Sequence, residues 1–264
     1  MCMVGTKIPD ITPDDVRSLL DFIRNTVSRA GCDGVVIGIS GGIDSAVVTK
    51  LCADALGPEN VQNVFMPSRV TSPEDYMSTR EMCAEWGTEY RVVDIQPSVD
   101  ALMATLLTGE ETPLERGNIS ARCRMAVLYN IAKKRNRLVM GTSNLSELMM
   151  GYFTKFGDGA CDVTPLANLY KTEVRQVAAI IGVPRPIIDK PPSAGLWEGQ
   201  TDESEMGIRY CDLDSILYGM EQGMDDAQLA ASVGMAETRV AEIRRQTEIM
   251  EHNRLPPSRP EAFR

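Results

Sequence analysis

The segment Gly38-Ile-Ser-Gly-Gly-Ile-Asp-Ser45 combines the residue types with which proteins hold phosphate groups. Its adjacent glycines let backbone N–H groups approach an anion closely, and Ser40 and Ser45 add hydroxyl donors. The segment lacks the lysine of the G-x-x-x-x-G-K-[ST] loop and the spacing of G-x-G-x-x-G. It therefore predicts a phosphate cradle of a different kind.

Asp44 is the residue of this turn that phosphate binding alone does not require. Its carboxylate would repel phosphates unless a cation lay between them, and Mg²⁺ is usually held by one or two carboxylates together with substrate phosphates. We therefore expect Asp44 to bind Mg²⁺. The alternative is a tight turn in which the glycines satisfy sterics and Asp44 caps a helix.

Hydrophobic patterning places this turn between a strand and a helix. The apolar run 34–39 predicts a strand buried on both faces, and the spacing of apolar residues predicts a helix over 44–55. We predict further strands over 61–66, 90–95 and 137–142. We predict further helices over 12–27, 73–86, 99–107, 118–134 and 171–181. This alternation indicates an α/β fold with helices on both faces of a doubly wound, mostly parallel sheet, and such sheets bind ligands at the carboxyl ends of their strands.

The chain is expected to form one domain with three parts. Residues 12–182 would be the nucleotide-binding core, interrupted by a polar, mobile loop over 108–117. Residues 183–205, which contain four prolines, are predicted to be a second mobile loop that could cover a reactive intermediate. Residues 206–264 would form a helical C-terminal part.

Composition narrows the classes of protein further. The 264 residues include 27 basic and 37 acidic side chains, and the net charge of −10 argues against nucleic-acid binding through a basic surface. The single histidine, His252, excludes zinc sites that need several histidines. The seven cysteines form no C-x-x-C pair, and neither a signal peptide nor a transmembrane run is evident. We expect reduced thiols, a cytoplasmic location and no membrane partner.

One segment suggests a different class of protein. Residues 228–240 have the small-residue spacing of a helix-turn-helix, which would suit a DNA-binding regulator. Acidic side chains surround the segment and would repel phosphates. We therefore expect a structural helical hairpin and no nucleic-acid partner.

The glycine turn resembles the signature of the ATP pyrophosphatases, which cleave ATP between its α- and β-phosphates. Four later blocks, in this order, resemble the NAD synthetase family, and F-T-K-F-G-D-G at 153–159 is the most specific piece. The blocks cover residues 117–125, 139–147, 151–162 and 165–171. The resemblance extends over about residues 12–260.

The resemblance implies a ligase that catalyses the last step of NAD biosynthesis. ATP would adenylate the nicotinate carboxylate of deamido-NAD (nicotinic acid adenine dinucleotide), and ammonia would displace AMP to give NAD. Glutamine-dependent members carry an extra amidase domain, for which residues 1–33 leave no room, so we expect free ammonia to be the nitrogen source. The resemblance also implies a homodimer.

The resemblance assigns ATP binding to the whole glycine turn and to three later residues. These contacts are Gly38, Ile39, Ser40, Gly41, Gly42, Ile43, Asp44, Ser45, Thr142, Lys171 and Ser193. Glu147 would be the second magnesium ligand beside Asp44; taken alone, it could be a solvated acid at a helix start. Lys171 begins a helix, where the dipole disfavours a cation, and this placement suggests a role at the ATP phosphates.

Deamido-NAD binding is assigned by resemblance to Arg122, Lys155 and Asp162 and to the pair His252 and Asn253. Asn253 stands where the family has lysine, which removes a positive charge from this contact. From its spacing, Tyr129 could share the face of Arg122 and stack on the pyridine ring, or be a core aromatic. Asp162 is also the candidate acceptor of the ammonium proton, so the catalytic set is Asp44, Lys171 and Asp162.

Other ATP pyrophosphatases remain an alternative. A tRNA thiolase of the paired-cysteine type would contain C-x-x-C, which is absent here. Neither a GMP synthetase nor a tRNA-modifying enzyme accounts for F-T-K-F-G-D-G.

Overall fold

Four parallel strands form the central sheet of this chain. The computed structural model describes residues 7–69, 71–106, 112–193, 195, 199–257 and 259–260. The strands are β1 (Gly34–Ile39), β2 (Val61–Phe65), β3 (Glu89–Val92) and β4 (Arg137–Met140), in the order β3-β2-β1-β4. Every neighbouring pair is parallel, which confirms the predicted sheet.

Helices follow the strands throughout the described residues. In the first half they are α1 (Pro13–Arg29), α2 (Ile43–Leu56), α3 (Pro73–Glu85), α4 (Gln96–Leu106) and α5 (Pro113–Lys134), with a 3-10 turn at Pro58–Asn60. In the second half they are α6 (Leu145–Met150), α7 (Lys171–Ile180), α8 (Arg185–Ile188), α9 (Asp202–Met206), α10 (Tyr210–Glu221), α11 (Asp226–Val233), α12 (Glu237–Ile249) and α13 (Glu251–Arg254).

The central strand β1 contributes to a core on each face of the sheet. Val35, Ile37 and Ile39 pack in the core that includes α1, α2 and α7. Val36 points to the opposite face and packs in the core that includes α4 and α5. Because successive side chains of a strand alternate in direction, an apolar run of this kind must be covered on both sides. The fold is therefore doubly wound, as predicted.

The strand order sets the position of the site. The chain runs outward from β1 to β3 and then crosses to β4 on the other side of β1. The order reverses between β1 and β4, and ligands of open α/β sheets bind at such a switch point, beyond the carboxyl ends of the strands. The glycine turn after β1 and the segment after β4 both begin there.

The predicted loop over 108–117 is wrong for residues 113–117, which are the first turn of α5. The Thr112 hydroxyl accepts a hydrogen bond from the Glu115 N–H, and the Glu115 carboxylate accepts one from the Thr112 N–H. This reciprocal cap fixes the helix start at the T-P-L-E sequence. Residues 108–111 lie outside the described residues.

The predicted loop over 183–205 contains α8 and the first residues of α9. Pro184 precedes α8 as its N-cap residue, and the Thr201 hydroxyl caps α9 by accepting from the Ser204 N–H. Proline is well tolerated at a helix start, so the proline-rich composition did not exclude short helices. Residues 194 and 196–198 lie outside the described residues.

A second core lies within the C-terminal helices, which confirms the predicted helical part. It includes Leu213 and Leu217 of α10, Leu229 of α11, and Val240 and Ile243 of α12. The segment with helix-turn-helix spacing thus packs as a structural hairpin around this core. None of the described helices is both long and apolar enough to cross a lipid bilayer.

Five cysteines in the described part of the chain are free thiols. They are Cys32, Cys52, Cys83, Cys123 and Cys161. Cys211 is instead disulfide-bonded, which corrects the expectation that all thiols are reduced.

Candidate active site

The glycine turn is shaped by its own two serines. Ser45 Oγ donates to the Gly42 carbonyl (3.0 Å) and accepts from the Ser40 N–H (3.3 Å), and the Gly42 N–H donates to Ser40 Oγ (3.3 Å). Ser45 is buried, so its hydroxyl holds the turn together. Gly42 caps α2 without any side-chain hydrogen bond. The first turn of α2 therefore presents backbone N–H groups and a positive dipole end to an anion.

Gly41 has a steric and a conformational reason to be glycine. Its φ of +85° disfavours other residues, and a Cβ there would lie 2.6 Å from Oδ1 of Asp75 on α3. Asp75 is in turn ion-paired with Lys190, which lies in the segment predicted as a mobile loop. This pair brings that segment beside the turn. No local spacing signal in the sequence indicated either residue, because 115 positions separate them.

Asp44, Glu147 and Lys171 meet at the carboxyl edge of the sheet. Lys171 Nζ lies 2.5 Å from Asp44 Oδ2 and 3.1 Å from Glu147 Oε1. The lysine side chain is 2% exposed, whereas the aspartate and glutamate side chains retain 16% and 14% exposure. Asp44 lies on α2, Glu147 on α6 and Lys171 on α7. The structure thus brings together three of the predicted site residues.

Asn144 links the two carboxylates and was missed by sequence reasoning. Its Nδ2 donates to Asp44 Oδ1 (3.0 Å), and its Oδ1 accepts from the Glu147 N–H (3.0 Å). Its own N–H faces Glu147 Oε2 at 3.3 Å, which completes a capping box at the start of α6. The N-L-S-E sequence at 144–147 was the available signal.

Burial and mutual charge set the protonation of this cluster. Burial raises the pKa of Glu147 above its ordinary value, the Lys171 ammonium opposes this shift, and the Asp44 carboxylate adds to it. Burial lowers the pKa of Lys171, but Asp44 and Glu147 outweigh it and hold that pKa above its ordinary value. The ammonium thus stays charged and serves as the counter-ion of the two carboxylates.

The donor atoms of this cluster suit a hard divalent cation. Two carboxylates facing one ammonium leave a net negative charge, and carboxylate oxygens are preferred ligands of Mg²⁺. Within the part of the chain that the structure describes, no group of three or more acidic, histidine or cysteine side chains is arranged to hold a metal ion. A cation held by Asp44 and Glu147 would complete its shell with substrate oxygens and water, as Mg²⁺ commonly does.

Asp162 and Tyr129 form a second group next to β4. Asp162 Oδ2 accepts from the Val139 N–H (2.8 Å), and Oδ1 accepts from the Tyr129 hydroxyl (3.2 Å). Burial, followed by the Asp162 charge, raises the pKa of Tyr129 to about 12. Strand β4 therefore fixes the carboxylate that the sequence singled out as a proton acceptor. The predicted stacking of Tyr129 on a pyridine ring stays a prediction.

Arg122, Lys155 and His252 form a third group. Arg122 donates to the Lys155 carbonyl (3.3 Å), and Lys155 Nζ donates to the His252 carbonyl (2.5 Å). Asn253 is turned toward Met250, with Nδ2 3.4 Å from the thioether sulfur. Phe156 has a left-handed backbone (φ +60°) and is 57% exposed beside Lys155. Such an exposed, strained aromatic is often functional, and the F-T-K-F motif was its only sequence signal.

The sequence also predicted ATP contacts by Thr142 and Ser193. Thr142 follows β4 at the switch point and is half-buried. Ser193 is exposed, and its hydroxyl accepts from the Gly195 N–H (3.1 Å). Their contacts with ATP stay predictions.

Comparison with known proteins identifies the family of this chain. The NAD synthase family model matches residues 15–257. The NH(3)-dependent NAD(+) synthetase of Methanosarcina acetivorans is 42% identical over 247 residues, covering 93% of this chain and 96% of that protein. The structure of NMN synthetase from Francisella tularensis has a TM-score of 0.85 at 35% identity and covers 96% of this chain and 100% of that one. The NH3-dependent NAD synthetase from Campylobacter jejuni has a TM-score of 0.78 at 31% identity, with 93% and 97% covered. This chain therefore belongs to the NAD synthase family.

Proposed function

We propose that this chain is an ammonia-dependent NAD synthetase, a ligase that amidates deamido-NAD at the expense of ATP in the last step of NAD biosynthesis. The observation that carries the proposal is the convergence of Asp44, Glu147 and Lys171 beside an uncapped helix start at the switch point of the sheet. This arrangement suits a triphosphate and its cation. Membership of the NAD synthase family narrows the reaction to the amidation that produces NAD.

ATP would bind at the first turn of α2, next to Lys171 and to the carboxylates of Asp44 and Glu147. The uncapped N–H groups would cradle the phosphates, and Lys171 would supply a positive charge close to them. Asp44 and Glu147 would hold Mg²⁺, which would neutralise phosphate charge. Thr142 and Ser193 would add contacts to the nucleotide.

The acyl substrate would lie toward β4 and the C-terminal helices. Arg122 and Lys155 offer positive charge for its phosphates or carboxylate, with His252 and Asn253 beside them. A nicotinate oxygen would attack the α-phosphorus of ATP and release pyrophosphate. Asp162 would take a proton from ammonium, and ammonia would then attack the acyl carbon and release AMP.

The assembly we propose is a homodimer in the cytoplasm. Leu102 and Leu106 of α4 and Leu114 of α5 are about half exposed, and α4 packs against α5. Covering such side chains with a second copy would remove apolar surface from water. Sedimentation analysis of the purified chain tests this directly.

A mononucleotide is the second candidate acyl substrate. The similarity to NMN synthetase in three dimensions favours testing nicotinate mononucleotide, which lacks the adenylate half of deamido-NAD. Asn253 stands where the family has lysine, and this loss of a positive charge would change how the acyl substrate is recognised. The higher sequence identity to NAD synthetases keeps deamido-NAD as the preferred substrate.

The test is a competition between the two acyl substrates. The purified chain is incubated with ATP, Mg²⁺, ammonium and equal amounts of both compounds, and the products are identified by mass spectrometry. We expect NAD, AMP and pyrophosphate in equal amounts, with little nicotinamide mononucleotide. Preferential formation of the mononucleotide would reassign the substrate, and ATP cleavage without either amide would overturn the proposal.

A further inference from the structure

Asp214 is a fully buried carboxylate that contacts both helices carrying Glu147 and Lys171. It lies on α10, in the helical C-terminal part, and has no exposed surface. Its Oδ1 accepts from Ser146 Oγ (2.6 Å), and its Oδ2 accepts from the Thr172 N–H (2.8 Å). Ser146 precedes Glu147 on α6, and Thr172 follows Lys171 on α7.

Ser146 closes a ring of hydrogen bonds with Asp214. Its hydroxyl donates to the carboxylate and also accepts from the Lys171 N–H at 2.9 Å. The backbone of Lys171 is therefore tied to the residue next to Glu147, and both are tied to α10. The hydrogen bond from the Leu145 N–H to the Leu169 carbonyl (2.8 Å) and the Lys171–Glu147 ion pair also join these two helix starts.

This ring also completes the cap of α7. The Glu173 carboxylate accepts from the N–H of the N-cap residue Tyr170 (2.8 Å), and the next two N–H groups need other partners. The free N–H groups of Lys171 and Thr172 are satisfied by Ser146 and Asp214, which belong to other helices. A carboxylate at this helix start also offsets the positive dipole end that would otherwise repel the Lys171 ammonium.

Burying a carboxylate such as that of Asp214 costs free energy unless hydrogen bonds compensate for the lost hydration. Burial raises the pKa of Asp214 to about 6, and its hydrogen bonds with Ser146 and Thr172 oppose the shift. The neighbouring residues Leu213 and Leu217 of α10 belong to the hydrophobic core of the C-terminal helices. The carboxylate at this position is therefore accounted for by its two polar partners.

We propose that Asp214 is a positioning residue for the reaction: through Ser146 and the start of α7, it holds the Lys171 backbone in register with Glu147. The Lys171 ammonium can then leave the carboxylates for the ATP phosphates without moving its helix. This inference rests on the proposed function only in naming ATP as the ligand. It makes the C-terminal helices part of the catalytic machinery.

The test compares Asp214→Asn and Ser146→Ala with a matched control, Asp212→Asn. Asp212 is a buried acid on the same helix whose ion-pair partner is Arg209, three residues away, rather than α6 or α7. Folding is checked by circular dichroism and thermal unfolding. Binding of Mg²⁺ with α,β-methylene-ATP, which the chain cannot cleave at that bond, is measured by calorimetry beside kcat and KM.

We expect Asp214→Asn and Ser146→Ala to lower kcat by about 10- to 100-fold and to weaken binding of the ATP analogue, with KM for deamido-NAD little changed. Asp212→Asn should change neither. Equal losses in all three variants, or losses that vanish after correction for the folded fraction, would overturn the positioning role. If Asp214→Asn fails to fold, Ser146→Ala alone decides, and unchanged analogue binding and kcat would refute the proposal. If the wild-type chain binds the analogue but makes no NAD, the proposed function is wrong. The role of Asp214 is then tested by comparing analogue binding between the wild type and the variants.

Discussion

Replacing Lys171 by Met removes the counter-ion of two carboxylates while keeping most of the side-chain volume. The lysine is 2% exposed and makes ion pairs of 2.5 and 3.1 Å, so its loss leaves two charges partly buried and uncompensated. Breaking a buried pair from one side typically costs about 3–5 kcal/mol. Because Asp44 and Glu147 retain 16% and 14% exposure, water can reach them, and we expect the lower end of that range.

The assay is thermal unfolding of wild type and Lys171→Met with and without Mg²⁺, in the absence of ATP. A loss of about 3 kcal/mol corresponds to roughly 6–12 °C in the melting temperature of a chain this size. We expect Mg²⁺ to restore much of this loss, because it would occupy the place of the ammonium between the carboxylates, and to affect wild type much less. Lys190→Met is the matched control: Lys190 is 42% exposed in its pair with Asp75, and its loss should cost less than about 1 kcal/mol.

The reasoning fails if Lys171→Met is as stable as wild type. It also fails if Mg²⁺ stabilises both proteins equally, because the carboxylates would then not form the cation site. Loss of stability without rescue by Mg²⁺ would keep the counter-ion role and reject the metal role.

Four further predictions follow from named contacts. Asp44→Asn should abolish ATP-dependent adenylation and keep the fold, because the amide retains the oxygen that Asn144 contacts; unchanged turnover would contradict this. Gly41→Ala should weaken ATP binding and lower stability by about 1–2 kcal/mol, since it meets both a φ of +85° and Asp75; the double variant with Asp75→Ala should recover part of the loss in calorimetry. The pKa of Asp214 is about 6 in the folded chain, above its ordinary 3.8. Between pH 3.8 and 6 the folded chain therefore binds more protons than the unfolded chain, and the stability that Asp214 contributes is lost as the pH rises through 6. Urea titrations should show the wild-type advantage over Asp214→Asn shrinking from pH 4 to pH 6.5, and a constant difference would be contrary evidence. Asn253→Lys should lower KM for deamido-NAD by adding a positive charge near Lys155, with kcat unchanged; an unaltered KM would remove this residue from the substrate site.

Local features of the sequence predicted the part of the site that lies near the sheet. The apolar run 34–39 predicted a strand buried on both faces, which is β1, and the glycines after it indicated the phosphate turn. Asp44 followed from the chemistry of that turn. Glu147 needed the family resemblance, because a carboxylate at a helix start has no distinctive pattern of its own. Lys171 is unusual at a helix start, but its assignment to ATP also came from the resemblance.

Long-range contacts were beyond prediction from spacing. The start of α5 was missed although T-P-L-E at 112–115 is a capping signature, because the polar composition before it favoured a loop. The pair of Asp75 with Lys190 and the ring around Asp214 join residues 115 and 68 positions apart in sequence. Nothing in local periodicity indicates such partners, since only the packing of the C-terminal helices on α6 and α7 brings them together.

The chemistry itself is tested most directly by the fate of the nicotinate carboxylate oxygen. Deamido-NAD labelled with oxygen-18 in that carboxylate is converted with ATP, Mg²⁺ and ammonium, and the phosphate products are analysed by mass spectrometry. If the carboxylate is adenylated and ammonia displaces AMP, one labelled oxygen must leave in AMP and none in pyrophosphate. Label in inorganic phosphate with formation of ADP, or unlabelled AMP beside labelled water, would contradict cleavage between the α- and β-phosphates by direct attack of the substrate.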